Sequence, residues 1–291
     1  MEIRPRRSVL YMPGSNARAL EKAKTLSADA LILDLEDAVA PDQKDEARAQ
    51  VVNAVKAGGY GNREITIRVN GFDTPWYADD IKAAATAGAN AVLVPKVSTA
   101  DDIKKASDDL KAAGAPEGLN LWAMMETPLA MLNAGDIAAM GSTTSPRLTC
   151  FIMGTNDLAK DTRARLTPTR LPMLTWLSTC IAAGRAYGID IIDGVYNDFR
   201  NEEGFAAECA HGVDIGMDGK TLIHPGQIAP CNEAFSPSAD EIDWARKIIA
   251  AFEQPENAGK GAITVDGKMV ELLHAEMARR TVAIADAIAR S

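Results

Sequence analysis

Histidine is scarce in this chain: three occur among 291 residues, His211, His224 and His274, and none belongs to an H-E-x-x-H pair. A histidine-based zinc site is therefore not expected. The four cysteines, Cys150, Cys180, Cys209 and Cys231, show no C-x-x-C spacing and are expected as buried free thiols. No G-x-S-x-G occurs, and Ser15 in "PGSN" has no histidine signature near it, which argues against a serine hydrolase. Apolar runs long enough to span a bilayer are missing, and the basic opening "MEIRPRR" has no apolar stretch of the kind a secretory signal needs. The expectation is a cytoplasmic protein without membrane contact. Basic excess is lacking too: the formal net charge of -9 argues against a nucleic-acid footprint, while leaving room for a local basic patch that binds phosphates.

What is present is ordinary globular material, 47% hydrophobic and 24% charged. The length admits one large core or two smaller domains. Eight β-like runs follow one another: SVLYMP from Ser8, ALILDLED from Ala30, EITIRVNG from Glu64, AVLVPKV from Ala91, LWAMMET from Leu121, LTCFIMGTND from Leu148, IDIIDGVY from Ile189 and VDIGMD from Val213. Helix-like stretches such as NARALEKAKTLS and KDEARAQVVNAVKAG separate most of them. Strand and helix alternating at this spacing imply parallel units with right-handed crossovers, and eight units predict an α/β fold, a (β/α)8 TIM barrel over residues 1–235. From about Ser236 the pattern changes to a helix, a glycine-bearing NAGKGAITVDGK and a last helix from Met269, a C-terminal helical extension over 236–291.

Barrel active sites lie at the C-terminal ends of the strands. Polar residues accumulate there: Pro13 and Gly14; Asp34, Glu36 and Asp37; Arg68 and Asn70; Lys96; Glu126; Asn156 and Asp157; Asp193 and Asn197; Asp218, Lys220 and His224. Glu126 and Asp157 end consecutive strands, so closure brings two carboxylates to one rim. Two hard oxygen ligands with room for water and substrate suit Mg2+. The other reading pairs Glu126 with Arg68 or Lys96 as a structural ion pair. Arg68 is placed to hold a carboxylate or polarised carbonyl, or serves as an internal ion-pair arginine. Glu36 and Asp37, with Asp34, are read as outer-shell partners of Arg68, Lys96 or metal-bound water. "MDGKT", ending at Thr221, imitates a phosphate loop, but Asp214 stands where its first glycine belongs.

The ordered pieces "RRSVLYMPGSNARALEKA", "LILDLEDAV", "IRVNG", "VLVPKV", "MMETP", "MGTNDLAKD", "DGVYNDF", "GKTLIHPGQI", "FSPSADEIDWA" and "VDGKMV" span nearly the whole chain. Together they resemble the citrate lyase beta-subunit-like CoA-ester lyases of the HpcH/HpaI aldolase superfamily. The resemblance implies a Mg2+-dependent enzyme, with Mn2+ as an alternative ion, that cleaves or forms the C–C bond of a 3-hydroxyacyl-CoA such as malyl-CoA or citramalyl-CoA. It further implies that Glu126 and Asp157 hold the metal and Arg68 binds substrate, while Tyr11, Arg18 and Lys22 contact CoA. Asp266 in "VDGKM" matches the catalytic aspartate, carried by a C-terminal segment over a neighbouring subunit's barrel, in a homotrimer or hexamer. "LWAMMET", "MGTNDLAK" and "DGVYNDFRNEEG" also look like the branch of (3S)-malyl-CoA thioesterases, which would hydrolyse the thioester at the same site. A third expectation, of another class, is a citrate lyase beta-type subunit working within a complex with acyl-carrier protein.

Overall fold

Strands buried on both faces need no alternation of apolar and polar residues, and ALILD in the second run is buried at every position. In the computed structural model, which describes residues 3–290, eight strands close into one parallel barrel in sequence order. They are β1 (Ser8–Pro13), β2 (Ala30–Asp34), β3 (Glu64–Arg68), β4 (Ala91–Val97), β5 (Asn120–Met125), β6 (Arg147–Met153), β7 (Asp190–Asp193) and β8 (Gly219–Leu222). Val9 pairs with Ala30 at one seam, and Ser8 with Lys220 at the closing seam.

The helices between them are α1 (Ala17–Ala23), α2 (Lys44–Ala57), α3 (Tyr77–Ala85), α4 (Ala100–Ala112), α5 (Pro128–Leu132), α6 (Ala134–Ala139), α7 (Thr155–Thr162), α8 (Leu171–Tyr187), α9 (Glu202–Ile215) and α10 (Ile228–Ala234). Their ends follow local chemistry. Thr99 and Asp102 form a capping box at the start of α4, and Gly58, at φ 64, closes α2. Among the described residues no helix is long and apolar enough to cross a membrane.

One expected strand is wrong. Val213, Asp214 and Ile215 end α9, and β8 is GKTL. The true strand escaped an apolar pattern because it buries polar groups: the Lys220 ammonium reaches Asp193 at 3.2 Å and Glu208 at 2.6 Å, and Thr221 Oγ1 donates to the Asp193 carbonyl at 2.8 Å. Asp218 precedes this strand, at the end opposite the expected site, where its carboxylate accepts from Arg185 and the Ile191 N–H.

Period two along the strands sets what faces the barrel axis. Val9, Ala30, Ile32, Ala91, Leu93, Trp122, Met124, Cys150, Ile152 and Ile192 form the interior, with Tyr11 packed on them. Continuing the same parity brings Asp34, Arg68 and Glu126 to the top. Below Trp122, at the opposite end, Arg6 pairs with both Glu64 and Asp190.

Arg6–Ala234 form one compact unit, and the residues from Phe235 onward belong to a second. The second contains α11 (Ala239–Phe252), an antiparallel hairpin of β9 (Ala262–Val265) and β10 (Lys268–Glu271), and α12 (Leu272–Arg290). The final helix therefore starts later than expected, because Met269–Glu271 pair with β9. Asp266 and Gly267, at φ 49 and 77, are the two left-handed residues of a tight hairpin turn. Ile248, Ile263, Val265, Val270 and Ala275 supply this unit's core.

Candidate active site

The Arg68 guanidinium is buried and enclosed by carboxylates. Asp34 takes its fork, Oδ1 from Nε at 2.6 Å and Oδ2 from Nη2 at 2.7 Å. The remaining nitrogen, Nη1, lies 2.6 Å from Glu36 Oε2 and 3.3 Å from Asp37 Oδ2. A two-pronged grip on substrate is thus already used by Asp34, and a ligand oxygen would have to take Nη1 from Glu36 and Asp37. The Tyr11 ring lies against the same guanidinium, 4.9 Å from its Cζ.

The "DLED" loop is fixed from behind. Asp34 accepts the N–H groups of Glu36 and Ala38. Lys44 Nζ donates to the carbonyls of Leu35 and Glu36 and to Asn70 Oδ1, at 2.7 to 2.8 Å. Asn70 in turn bonds Asp80, which accepts from Arg48. This explains why polar Asn70, two residues past the end of β3, is buried.

Glu126, 1% exposed, accepts the Lys96 N–H at Oε1 over 2.7 Å. The Lys96 ammonium lies 3.5 Å from the same oxygen and 2.5 Å from Asp157 Oδ1. Asp157 is on the third residue of α7 rather than on a strand, where a carboxylate favours the helix dipole, and Lys160 reaches it at 3.3 Å. Burial pushes the Glu126 carboxyl above its ordinary range, against the pull of Lys96. For Asp157 burial acts in the same sense, but Lys96 and Lys160 outweigh it and hold the carboxyl low. Glu36 is pushed up to about 8 by burial, opposed by Arg68 and reinforced by Asp37, Glu126 and Asp34.

Arg68 and Asp157 border a cavity of about 300 Å3 whose lining also includes Tyr11, Met124, Gly154 and Ile223. Asn156 and Asn197 exchange reciprocal amide bonds of 3.1 and 2.8 Å across its edge, tying the ends of β6 and β7. His224 stacks on Phe199 at 4.9 Å. Asp193 and Lys220 are consumed by each other and by Arg170, whose guanidinium holds Asp193 at 2.5 and 2.7 Å.

The donor set fits a hard divalent ion. Among the described residues no group of three or more His, Cys, Asp or Glu could chelate an ion unaided. Glu126 and Asp157 instead offer two oxygen ligands, the habit of Mg2+, which keeps water or substrate oxygens in its other positions.

Glu126, Asp157, Arg68, Lys96, Glu36, Asp37 and Tyr11 therefore converge. Arg18 and Lys22 instead lie one turn apart on the exposed face of α1. Asp266 lies at the exposed tip of the second unit's hairpin, 2.9 Å from Lys247. The sequence reading missed Gly154, where a side chain would collide with Glu126. Its signal was a glycine directly after an apolar strand.

Comparison with known proteins places the chain in a family. The chain is 53% identical over 285 residues to a (3S)-malyl-CoA thioesterase of Cereibacter sphaeroides, covering 98% of this chain and 96% of that one. It is 36% identical to citrate lyase subunit beta of Escherichia coli over 92% and 89% of the two chains. The crystal structure of CitE from Mycobacterium tuberculosis in complex with magnesium, acetoacetate and coenzyme A superposes with a TM-score of 0.75 at 27% identity, covering 97% of this chain and 99% of that one. Residues 7–225 match the HpcH/HpaI aldolase/citrate lyase family. The chain belongs to that family.

Proposed function

We propose that this enzyme acts on a malyl-type CoA thioester and, with Mg2+, hydrolyses (3S)-malyl-CoA to malate and CoA. The supporting observation is the convergence of Glu126 and Asp157 on Lys96 at a cavity that Arg68 and Asp157 line, in a chain 53% identical to a thioesterase of that specificity. Glu126 and Asp157 would hold the ion. Bound there, Mg2+ supplies Lewis-acid polarisation of the acyl group's oxygens.

Arg68 carries the electrophilic work. Asp34 locks the guanidinium so that it cannot turn, and burial keeps its charge unscreened. Nη1, once substrate displaces Glu36 and Asp37 from it, donates to the thioester oxygen, on which negative charge grows as water attacks. Tyr11 faces the acyl end of the substrate rather than its nucleotide. Arg18 and Lys22 stand where exposed cations can take CoA phosphates.

Asp266 is the group that accepts a proton from the attacking water, brought to the barrel mouth of a neighbouring subunit in a trimer or hexamer. The second unit exposes Met269, Leu272, Leu273 and Met277 at 70, 53, 51 and 63%, an apolar stripe suited to packing on another copy.

C–C cleavage to acetyl-CoA and glyoxylate is the second reading, favoured by the likeness to a citrate lyase subunit. It uses the same residues, with Asp266 taking the 3-hydroxyl proton as the C–C bond breaks and returning it to the enolate carbon. One assay separates the two: purified protein, Mg2+ and (3S)-malyl-CoA, following malate, free CoA, glyoxylate and acetyl-CoA together. Malate with CoA and no glyoxylate is expected. Glyoxylate with acetyl-CoA establishes the lyase instead, and turnover only with acyl-carrier protein and further subunits makes the chain a citrate lyase component.

A further inference from the structure

Proline at position 95 cannot donate to a sheet ladder. There the register between β4 and β5 slips: Val94 faces Ala123, yet Val97 faces Met125, so three steps on one strand meet two on the other. Lys96 sits in this bulge at φ 57, a left-handed backbone that a non-glycine residue keeps only where its surroundings enforce it. The bulge turns the Lys96 N–H out of the ladder onto Glu126 Oε1 and sends the ammonium between Glu126 and Asp157. One residue thus touches both carboxylates assigned to the metal. The Lys96 side chain is 38% exposed and Glu126 only 1%, so the ammonium has solvent to withdraw into and the carboxylate does not.

We infer that Lys96 is the resident counter-cation of the Glu126–Asp157 pair, neutralising it in the metal-free protein and displaced by the incoming divalent ion. The inference rests on the metal assignment proposed above. Two positive ions compete for the same oxygens, so the ammonium lowers metal affinity while holding both carboxylates in place. The backbone contact to Glu126 does not depend on the side chain at 96. Replacing that side chain therefore removes the competitor and leaves the scaffold.

The experiment titrates Mn2+ into the full-length protein without substrate, following free ion by electron paramagnetic resonance, and repeats it with Mg2+ by calorimetry. Lys96→Met, which keeps an unbranched stem, is expected to bind at least ten times more tightly than wild type. Lys160→Met is the control, since Lys160 is 68% exposed and reaches only Asp157 among the pair. It is expected to change affinity little. Equal or weaker binding by Lys96→Met overturns the inference, as does an equal gain in Lys160→Met. If circular dichroism shows Lys96→Met unfolded, Lys96→Gln takes its place with the same expected direction. Binding absent from wild type and variants alike overturns the metal assignment and the inference with it, whereas unchanged affinity overturns the inference alone.

Discussion

Gly154 and Glu126 occupy complementary space. A side chain at 154 would collide with Glu126 Cβ, and its own Cβ would lie 2.5 Å from Glu126 Oε2. Gly154→Ala is expected to push that carboxylate aside and lower kcat/KM by two orders of magnitude or more. The cost in stability should be modest, about 1–3 kcal/mol as for other overpacked interiors. Steady-state kinetics and urea unfolding of the same preparation check both numbers, and an active variant would show that Glu126 can move without consequence.

Glu126→Gln separates function from stability. The amide keeps an acceptor for the Lys96 N–H but removes a carboxylate that burial disfavours. Activity should fall at least a hundredfold, while the thermal midpoint in metal-free buffer stays level or rises. Chelation of the wild type should reproduce the loss and added Mg2+ should reverse it. A sharply lower midpoint would give Glu126 a structural role instead.

Breaking the Asp34–Arg68 pair should have the opposite signature. Asp34→Asn leaves a buried guanidinium short of its main partner, at a cost of about 3–5 kcal/mol. Burial raises the Asp34 carboxyl, but Arg68 and the Glu36 and Ala38 N–H groups outweigh this and hold it below 3.8. The pair's contribution is therefore complete above 3.8 and fades as pH falls through the lower folded value. Urea unfolding against pH should show an acid limb in the wild type that is weaker in the variant.

Glu36 works with the reverse sign. Its carboxyl rises from 4.5 to about 8 on folding, so the folded protein holds that proton more tightly. The resulting stabilisation is full below 4.5 and disappears as pH rises through about 8. Glu36→Gln keeps it throughout. In metal-free buffer the variant's thermal midpoint should pull ahead of wild type as pH climbs through that window, and parallel curves would contradict the shift.

Asp266 is 60% exposed with a single lysine contact, so Asp266→Asn should cost little stability. Activity should nevertheless fall a hundredfold or more. Mixing Asp266→Asn with Glu126→Gln subunits under conditions that allow exchange should recover activity, which requires a site shared between copies. Two inactive proteins that stay inactive after confirmed exchange would place each site within one chain.

Much of the barrel was legible because seven of its strands are apolar runs bounded by helix signals. Glu126 was legible for the same reason, as a lone carboxylate closing LWAMM. β8 was not, since Lys220 and Thr221 are buried only because Asp193 and Glu208 await them from distant segments. Nor could spacing reveal that Asp34 would fill the Arg68 fork or that Tyr11 would turn inward while Arg18 stayed outside. Both depend on which strands become neighbours. Lys96 lies between these cases: Pro95 marks an interruption in the strand, but only closure of β4 onto β5 shows where the freed amide goes.

The arginine beneath Trp122 bears on how the chain assembles. Arg6 joins Glu64 of β3 to Asp190 of β7, strands on opposite sides of the barrel, and its link to Asp190 spans 184 residues. During synthesis β1 pairs with β2 early, but its other edge must wait for β8, when nearly the whole barrel has left the ribosome. Glu64 is available early, whereas Asp190 and β8 cannot arrive sooner. Rounding up of the cylinder and burial of that arginine become one late, concerted event, and a nascent chain stopped before β7 offers an open sheet edge to whatever lies nearby.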